Sequence, residues 1–271
     1  MKEVASLRYG TIFKKAFSDP EIFTAFVEDV LGIKVEIETV ETEKSFSPTI
    51  GHVSARFDLF AEDNKNRVIV DIQHARRSDH YAPRKRGDRF LHYHCIAILE
   101  QIPNSYDYKP PLLVYTVVVL TSGDKYQKDV LITDFRPRDL SGQPVGEIEH
   151  KIVYVNPNYV SQDTPAPLRE WLLAIADSLD EKVDESLYER PEIRKVFDLI
   201  KKDTISPEER AQMIEEYHSE KAKHTAFSEG ARQALIETAK RFLSQGLDVS
   251  MVSSGTGLTE AEVMALKNSP S

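Results

Sequence analysis

The chain has 271 residues, a formal net charge of −9, 41% hydrophobic and 29% charged residues, and a single cysteine, Cys95. This composition fits an ordinary globular protein, excludes an intrachain disulfide, and contains no run of about 18 apolar residues to span a bilayer. The N-terminus lacks a signal-peptide core, so a reducing cytoplasm is the expected compartment, and the acidic balance means that any polyanion partner needs a local basic patch.

Ile12, Phe13, Ala16, Phe17 and then Ile22, Phe23, Phe26, Val27, Val30 and Leu31 recur at helical spacing. They predict two short helices broken at Asp19-Pro20, with Asp19 capping the second, Pro20 in its first turn and Gly32 ending it. Residues 35–40 alternate like a strand. Residues 53–60 and 67–73 then predict a hairpin whose polar link turns between Asn64 and Lys65.

That register sets Asp58 opposite Asp71, and facing carboxylates repel. A divalent cation or a basic side chain between them resolves the conflict. Asp71 and Gln73 share one strand face with Ile69, while Val68, Val70 and Ile72 face the core. Two carboxylates with backbone oxygen make an all-oxygen site suited to Mg²⁺ or Mn²⁺ rather than zinc. Gln73, an amide and no strong base, would orient a water or a phosphate oxygen. The plainer alternative pairs the two aspartates with Arg56 or Arg67.

A basic run follows: Arg76, Arg77, Arg84, Lys85, Arg86 and Arg89, opposed only by Asp79 and Asp88. Most charge runs are solvated faces, but this one abuts the acidic pair. A helix is expected over 88–102, with Phe90, Leu91, Cys95, Ile98 and Leu99 on its apolar face. Arg89 and Tyr93 are four apart and share another face. Arg89 could hold a phosphate or pair with Asp71, and both readings stand. Residues 112–120 are nearly all apolar, as in a strand buried on both faces. Further strands are expected at 130–132 and 151–155, which makes the first half a mixed α/β sandwich.

After Asn156-Pro157 the pattern becomes helical: 167–180, 191–202, 207–224 and 227–245, started by prolines. Trp171 is expected to pack this half against the sheet. A small helix-turn-helix-like unit closes the chain, with Thr259 and Glu262 as a capping box. Its second helix offers only Lys267 against Glu260 and Glu262, so a structural or self-association role is expected of the C-terminal helices rather than DNA readout.

Several of these segments together resemble a known family. They are Arg8-Tyr9-Gly10-Thr11-Ile12-Phe13-Lys14-Lys15-Ala16-Phe17, Phe57-Asp58-Leu59-Phe60, Val70-Asp71-Ile72-Gln73, Arg89 with Tyr93, and the tail from Glu229-Gly230 to Thr259. The set is similar to the PD-(D/E)xK nuclease family transposases, the recombination-promoting nucleases. The resemblance implies a restriction-endonuclease-like mixed sheet flanked by helices, followed by a helical C-terminal region. It implies a nuclease-like core over 1–160, a helical extension over 161–225, and the long helix with the small unit over 226–271.

It also implies metal-dependent cleavage of double-stranded DNA, linked to recombination or mobile elements. Asp58 and Asp71 become metal ligands, and Gln73 takes the place of the usual lysine. From the residues themselves, Lys14, Arg84, Lys85, Arg86, Arg89 and Tyr93 are the candidate DNA- and phosphate-binding residues. Asp71 replaces the commoner Glu, and Gly10 stands where many relatives carry Asp. Glu28 is a candidate acid on the first helices, though a solvent-facing role is the simpler reading. A nuclease-fold protein that grips DNA without cutting, and an oligomeric scaffold, remain as alternatives.

Overall fold

The computed structural model describes residues 1–46, 55–74, 84–102, 109–124, 126–146 and 148–268, without the side chains of 84–88, 223, 224 and 227. Helices α1 (Gly10–Phe17) and α2 (Pro20–Leu31) form where the apolar spacing predicts them. Asp19 Oδ1 accepts from the N–H groups of Glu21 and Ile22 at 3.1 and 3.2 Å. Gly32 ends α2 at φ +67°, a left-handed conformation that glycine adopts without steric cost.

The strand expected over 35–40 does not form. Val35 N–H donates to Glu28 Oε1 and Glu36 N–H to Asp63 Oδ2, each at 3.2 Å. Carboxylates satisfy these amides in place of a ladder, and strand β2 begins later, at Glu41–Phe46. Glu28 also holds Lys34 at 2.6 Å, which makes it a structural acid of the α2 exit.

The sheet is completed by β3 (Ala55–Glu62), β4 (Asn66–Gln73), β5 (Leu113–Leu120), β6 (Val130–Asp134) and β7 (Lys151–Val155), in the order β2-β3-β4-β5-β7-β6. β2, β3 and β4 run antiparallel; β4, β5 and β7 are parallel; β6 returns antiparallel on the edge. Val114 through Leu120 on the central strand are all buried, as its unbroken apolar run predicts. A two-stranded ladder pairs β1 (Lys2–Glu3) with β8 (Lys182–Val183).

Helix α3 (Arg84–Leu99) lies between β4 and β5 in sequence and packs on β3, β5 and β7. Its buried face holds Phe90, His94, Ile96 and Ala97, whereas Leu91, Cys95 and Leu99 are exposed. The face is turned by about one residue from the expected one, so Cys95 is no core residue. His94 is the inward group: its Nδ1 lies 2.9 Å from Thr116 Oγ1 and its ring stacks on Phe135.

Helices α4 (Ala166–Ser178), α5 (Pro191–Leu199) and α6 (Pro207–Ser244) follow. Trp171 of α4 is buried against Phe17 and Phe26, with centroids 6.0 and 5.4 Å away, and donates from Nε1 to Asp29 Oδ2 at 2.8 Å. It joins helix to helix rather than helix to sheet. The two helices expected over 207–245 are one continuous helix.

Two compact units result, Met1–Glu216 and Tyr217–Ser271. In the second, the end of α6 meets α7 (Val249–Thr256) and α8 (Glu260–Asn268) around Ala239, Val252, Leu258 and Val263. The Thr259/Glu262 capping box forms, with reciprocal bonds of 2.9 and 3.3 Å.

In the first unit, Glu209, Gln212 and Glu216 share one face of α6. They reach Lys15 at 2.8 Å, Thr11 Oγ1 at 3.1 Å and the start of α1. Glu216 accepts from Gly10 N–H at 2.7 Å, Thr11 N–H at 3.0 Å and Thr11 Oγ1 at 2.8 Å. Helix α1 has no side-chain cap of its own, so this carboxylate satisfies its orphan amides and complements its dipole. It brings an acid to the position where Gly10 has none. Glu216→Ala is expected to cost about 1–2 kcal/mol, read as a lower urea midpoint at unchanged slope.

Candidate active site

The β3–β4 register pairs Leu59 with Val70 and Phe60 with Ile69, so the next pair is Asp58 with Asp71. There the backbone ladder gives way to side chains. Asp58 N–H donates to Asp71 Oδ1 at 3.3 Å, and Ile72 N–H donates to Asp58 Oδ2 at 3.0 Å. Each carboxylate reaches across to the opposite strand and does the work of a carbonyl. Phe57 and Phe60 belong to the same apolar cluster under α3, although strict alternation would put them on opposite faces.

Asp71 is 2% exposed, and its Oδ2 has no hydrogen-bond partner. Such an orphaned acceptor costs about 1–3 kcal/mol. Burial, and then the charge of Asp58, push the Asp71 carboxyl up to about 8. Burial also raises Asp58, against the Ile72 N–H bond and the positive charge of Lys14, which pull it down. Close acids in a dry setting cannot both ionise cheaply.

The residues around the pair separate into near and far. Lys14, on α1, forms an ion pair with Glu43 of β2, and Arg56 pairs with the same carboxylate. Glu43 is half-buried at φ +59°, a left-handed conformation that costs a non-glycine residue about 1–2 kcal/mol. Gln73 turns its Nε2 onto the Ile72 carbonyl at 2.7 Å. Arg89 lies over the rings of Phe90 and Tyr93, 4.7 and 5.5 Å from their centroids, and pairs with neither aspartate. Its charge nonetheless lowers both. Arg67 pairs with Glu62 and Glu100, so it does not neutralise the acids either.

Tyr93 meets Phe57 edge-on at 5.7 Å and so belongs partly to the core. The backbone of Arg84, Lys85 and Arg86 forms the first turn of α3, and their side chains lie outside the described residues, as do 75–83. A cavity of about 730 Å³ lies elsewhere, lined in part by Glu36, Glu38, Glu41, Glu62 and Asp63. That lining repels a polyanion.

Sequence reasoning missed Glu43. Its signal was the polar run Glu41-Thr42-Glu43-Lys44-Ser45, which is β2 itself. With β2 placed there, the register sets Glu43 opposite Asp58.

Among the described residues, no group of three or more His, Cys, Asp or Glu is arranged to hold a metal ion. The Asp58–Asp71 pair still has the donor chemistry of a hard-cation site, since a buried carboxylate oxygen lacks a partner beside a second carboxylate. The remaining ligands would be water and backbone oxygen. Among the described residues, no helix is long and apolar enough to cross a membrane.

The family model of the PD-(D/E)XK nuclease family transposases matches residues 9–229, a span that contains α1, both aspartates, Gln73 and α3. No curated protein and no solved structure matches the chain.

Proposed function

The chain belongs to the PD-(D/E)XK nuclease family transposases, its mixed sheet and flanking helices are consistent with a restriction-endonuclease-like fold, and on that premise we propose that it is a metal-dependent DNA endonuclease centred on Asp58 and Asp71. Membership supports a nuclease- or transposase-related function. The observation that carries the finer reading is the break in the β3–β4 ladder, where two carboxylates converge and one oxygen is buried without a partner.

Asp58 and Asp71 would hold Mg²⁺ or Mn²⁺, both hard cations. When bound, such an ion supplies a water of lowered pKa and charge stabilisation for a phosphodiester. The chain's own residues do the rest. The two strand N–H bonds hold the carboxylates in fixed orientation. Asp71 gives up its proton on loading. Gln73 can turn its amide from the Ile72 carbonyl to orient water or a phosphate oxygen. Lys14 and Arg89 bring positive charge to the phosphate, and the basic start of α3, with Arg84, Lys85 and Arg86, would follow the duplex backbone. Tyr93 supports Arg89 from below. Self-association through the C-terminal helices, a link to recombination and a cytoplasmic setting belong to the same proposal.

The test is a plasmid-nicking assay in Mg²⁺ or Mn²⁺. Wild type is expected to relax supercoiled plasmid and Asp58→Ala to leave it intact. Equal relaxation by both sinks the proposal. A second reading, a protein that grips DNA without cutting, is favoured by the neutral Gln73 already bonded to the backbone. It predicts salt-dependent duplex binding with no nicking in either ion.

A further inference from the structure

Three acids stand in a row across three neighbouring strands. The β2–β3 register pairs Thr42 with Leu59 and Lys44 with Phe57, which puts Glu43 opposite Asp58, and Asp58 is opposite Asp71. Adjacent like charges in a sheet repel. Glu43 sits in mid-strand with φ +59°, a conformation that persists only where the surroundings impose it. What surrounds it is cationic: Lys14 from α1 and Arg56 from β3. The Lys14 charge also acts on Asp58, so two carboxylates on neighbouring strands draw on one ammonium, which is paired with Glu43.

We infer that Glu43 is a positioning residue: its carboxylate holds the Lys14 ammonium off Asp58, which leaves Asp58 open to a divalent cation and keeps Lys14 beside the site for a phosphate. Glu43 acts through Lys14 and is not a third ligand, since both its oxygens are already paired, with Lys14 and Arg56, and no three-acid group among the described residues is arranged to hold an ion. Arg56 holds the far side of the same carboxylate and fixes its direction. The inference rests on the metal-site reading above.

The experiment measures Mn²⁺ affinity by titration calorimetry and plasmid nicking in parallel, on wild type, Glu43→Gln, Glu43→Gly and the double variant Lys14→Met/Glu43→Gln. Without Glu43, Lys14 turns onto Asp58, and Mn²⁺ binding is expected to weaken about tenfold in Glu43→Gln. The double variant regains wild-type Mn²⁺ affinity but does not regain cutting. Glu43→Gly accommodates the positive φ, so it melts at or above wild type while losing Mn²⁺ affinity as Glu43→Gln does. A purely structural role would instead lower the melting temperature and leave the affinity alone. Wild-type Mn²⁺ affinity in Glu43→Gln overturns the inference and leaves the metal site standing. Failure of the double variant to recover means that Glu43 meets the ion itself, which also overturns it. A wild type that neither binds Mn²⁺ nor nicks removes the metal site, and the inference falls with it.

Discussion

Asp71→Asn is expected to melt roughly 10 °C above wild type at pH 8 and to lose cutting by on the order of 10³-fold. The two effects share one cause. Asp71 is buried, one of its oxygens is unpartnered, and burial with the Asp58 charge raises its carboxyl to about 8. The folded protein therefore keeps a proton that the unfolded chain releases near the ordinary value of 3.8. For a raised acid, the folded state is favoured most below that ordinary value. The advantage drains away as pH rises and is gone once pH passes the folded value.

Between about pH 4 and pH 8, wild type thus loses on the order of 5 kcal/mol that an uncharged isostere keeps. Asparagine retains the Oδ1 acceptor for Asp58 N–H, and its amide can donate to the Asp58 carboxylate. The melting temperatures of variant and wild type should converge at pH 4 and separate steadily toward pH 8. A difference that does not change with pH would mean that Asp71 is not the buried acid described. The lost cutting follows because an amide cannot offer the anionic oxygen that a divalent cation needs. A site that stabilises the fold when disarmed is the expected mark of function over stability.

Much of this arrangement is legible in the sequence. The α1–α2 pair was legible because Asp19-Pro20 and Gly32 are local signals, each acting through its own backbone. The central strand was legible because 112–120 has one reading, an apolar run with both faces covered. The Asp58–Asp71 opposition followed from the turn at Asn64-Lys65, since a hairpin fixes its register locally. The misses were non-local. Residues 35–40 alternate well, but Glu28 and Asp63 reach in from elsewhere and take the amides. The face of α3 turned because His94, polar by type, finds Thr116 inside. Glu43 was missed because its strand was expected one step too soon and because its partner, Lys14, lies 29 residues earlier. The site's neighbours, unlike its two acids, are set by tertiary contacts that no short window contains.

On the proposed metal-site reading, the raised Asp71 carboxyl also sets how metal uptake should depend on pH. An ion that binds the carboxylate must first displace the proton, so affinity and protonation are linked. Below about pH 8, each unit of acidity should weaken Mn²⁺ binding close to tenfold, which gives roughly 50- to 100-fold between pH 8 and pH 6. Asp58 is raised as well, and adds to the slope at the acid end. Calorimetry in two buffers of different ionisation enthalpy, at pH 7, should report about one proton released per ion bound. Cutting rates at fixed, subsaturating Mn²⁺ should climb over the same interval. Saturating metal should flatten the climb, because excess ion pulls the proton off. A general base in the reacting complex would leave a slope that no metal concentration removes. If the affinity is flat from pH 6 to pH 8, the ion does not bind through Asp71. The site would then have to be rebuilt around Asp58 alone, which cannot by itself explain why a buried carboxylate stands unpaired beside it.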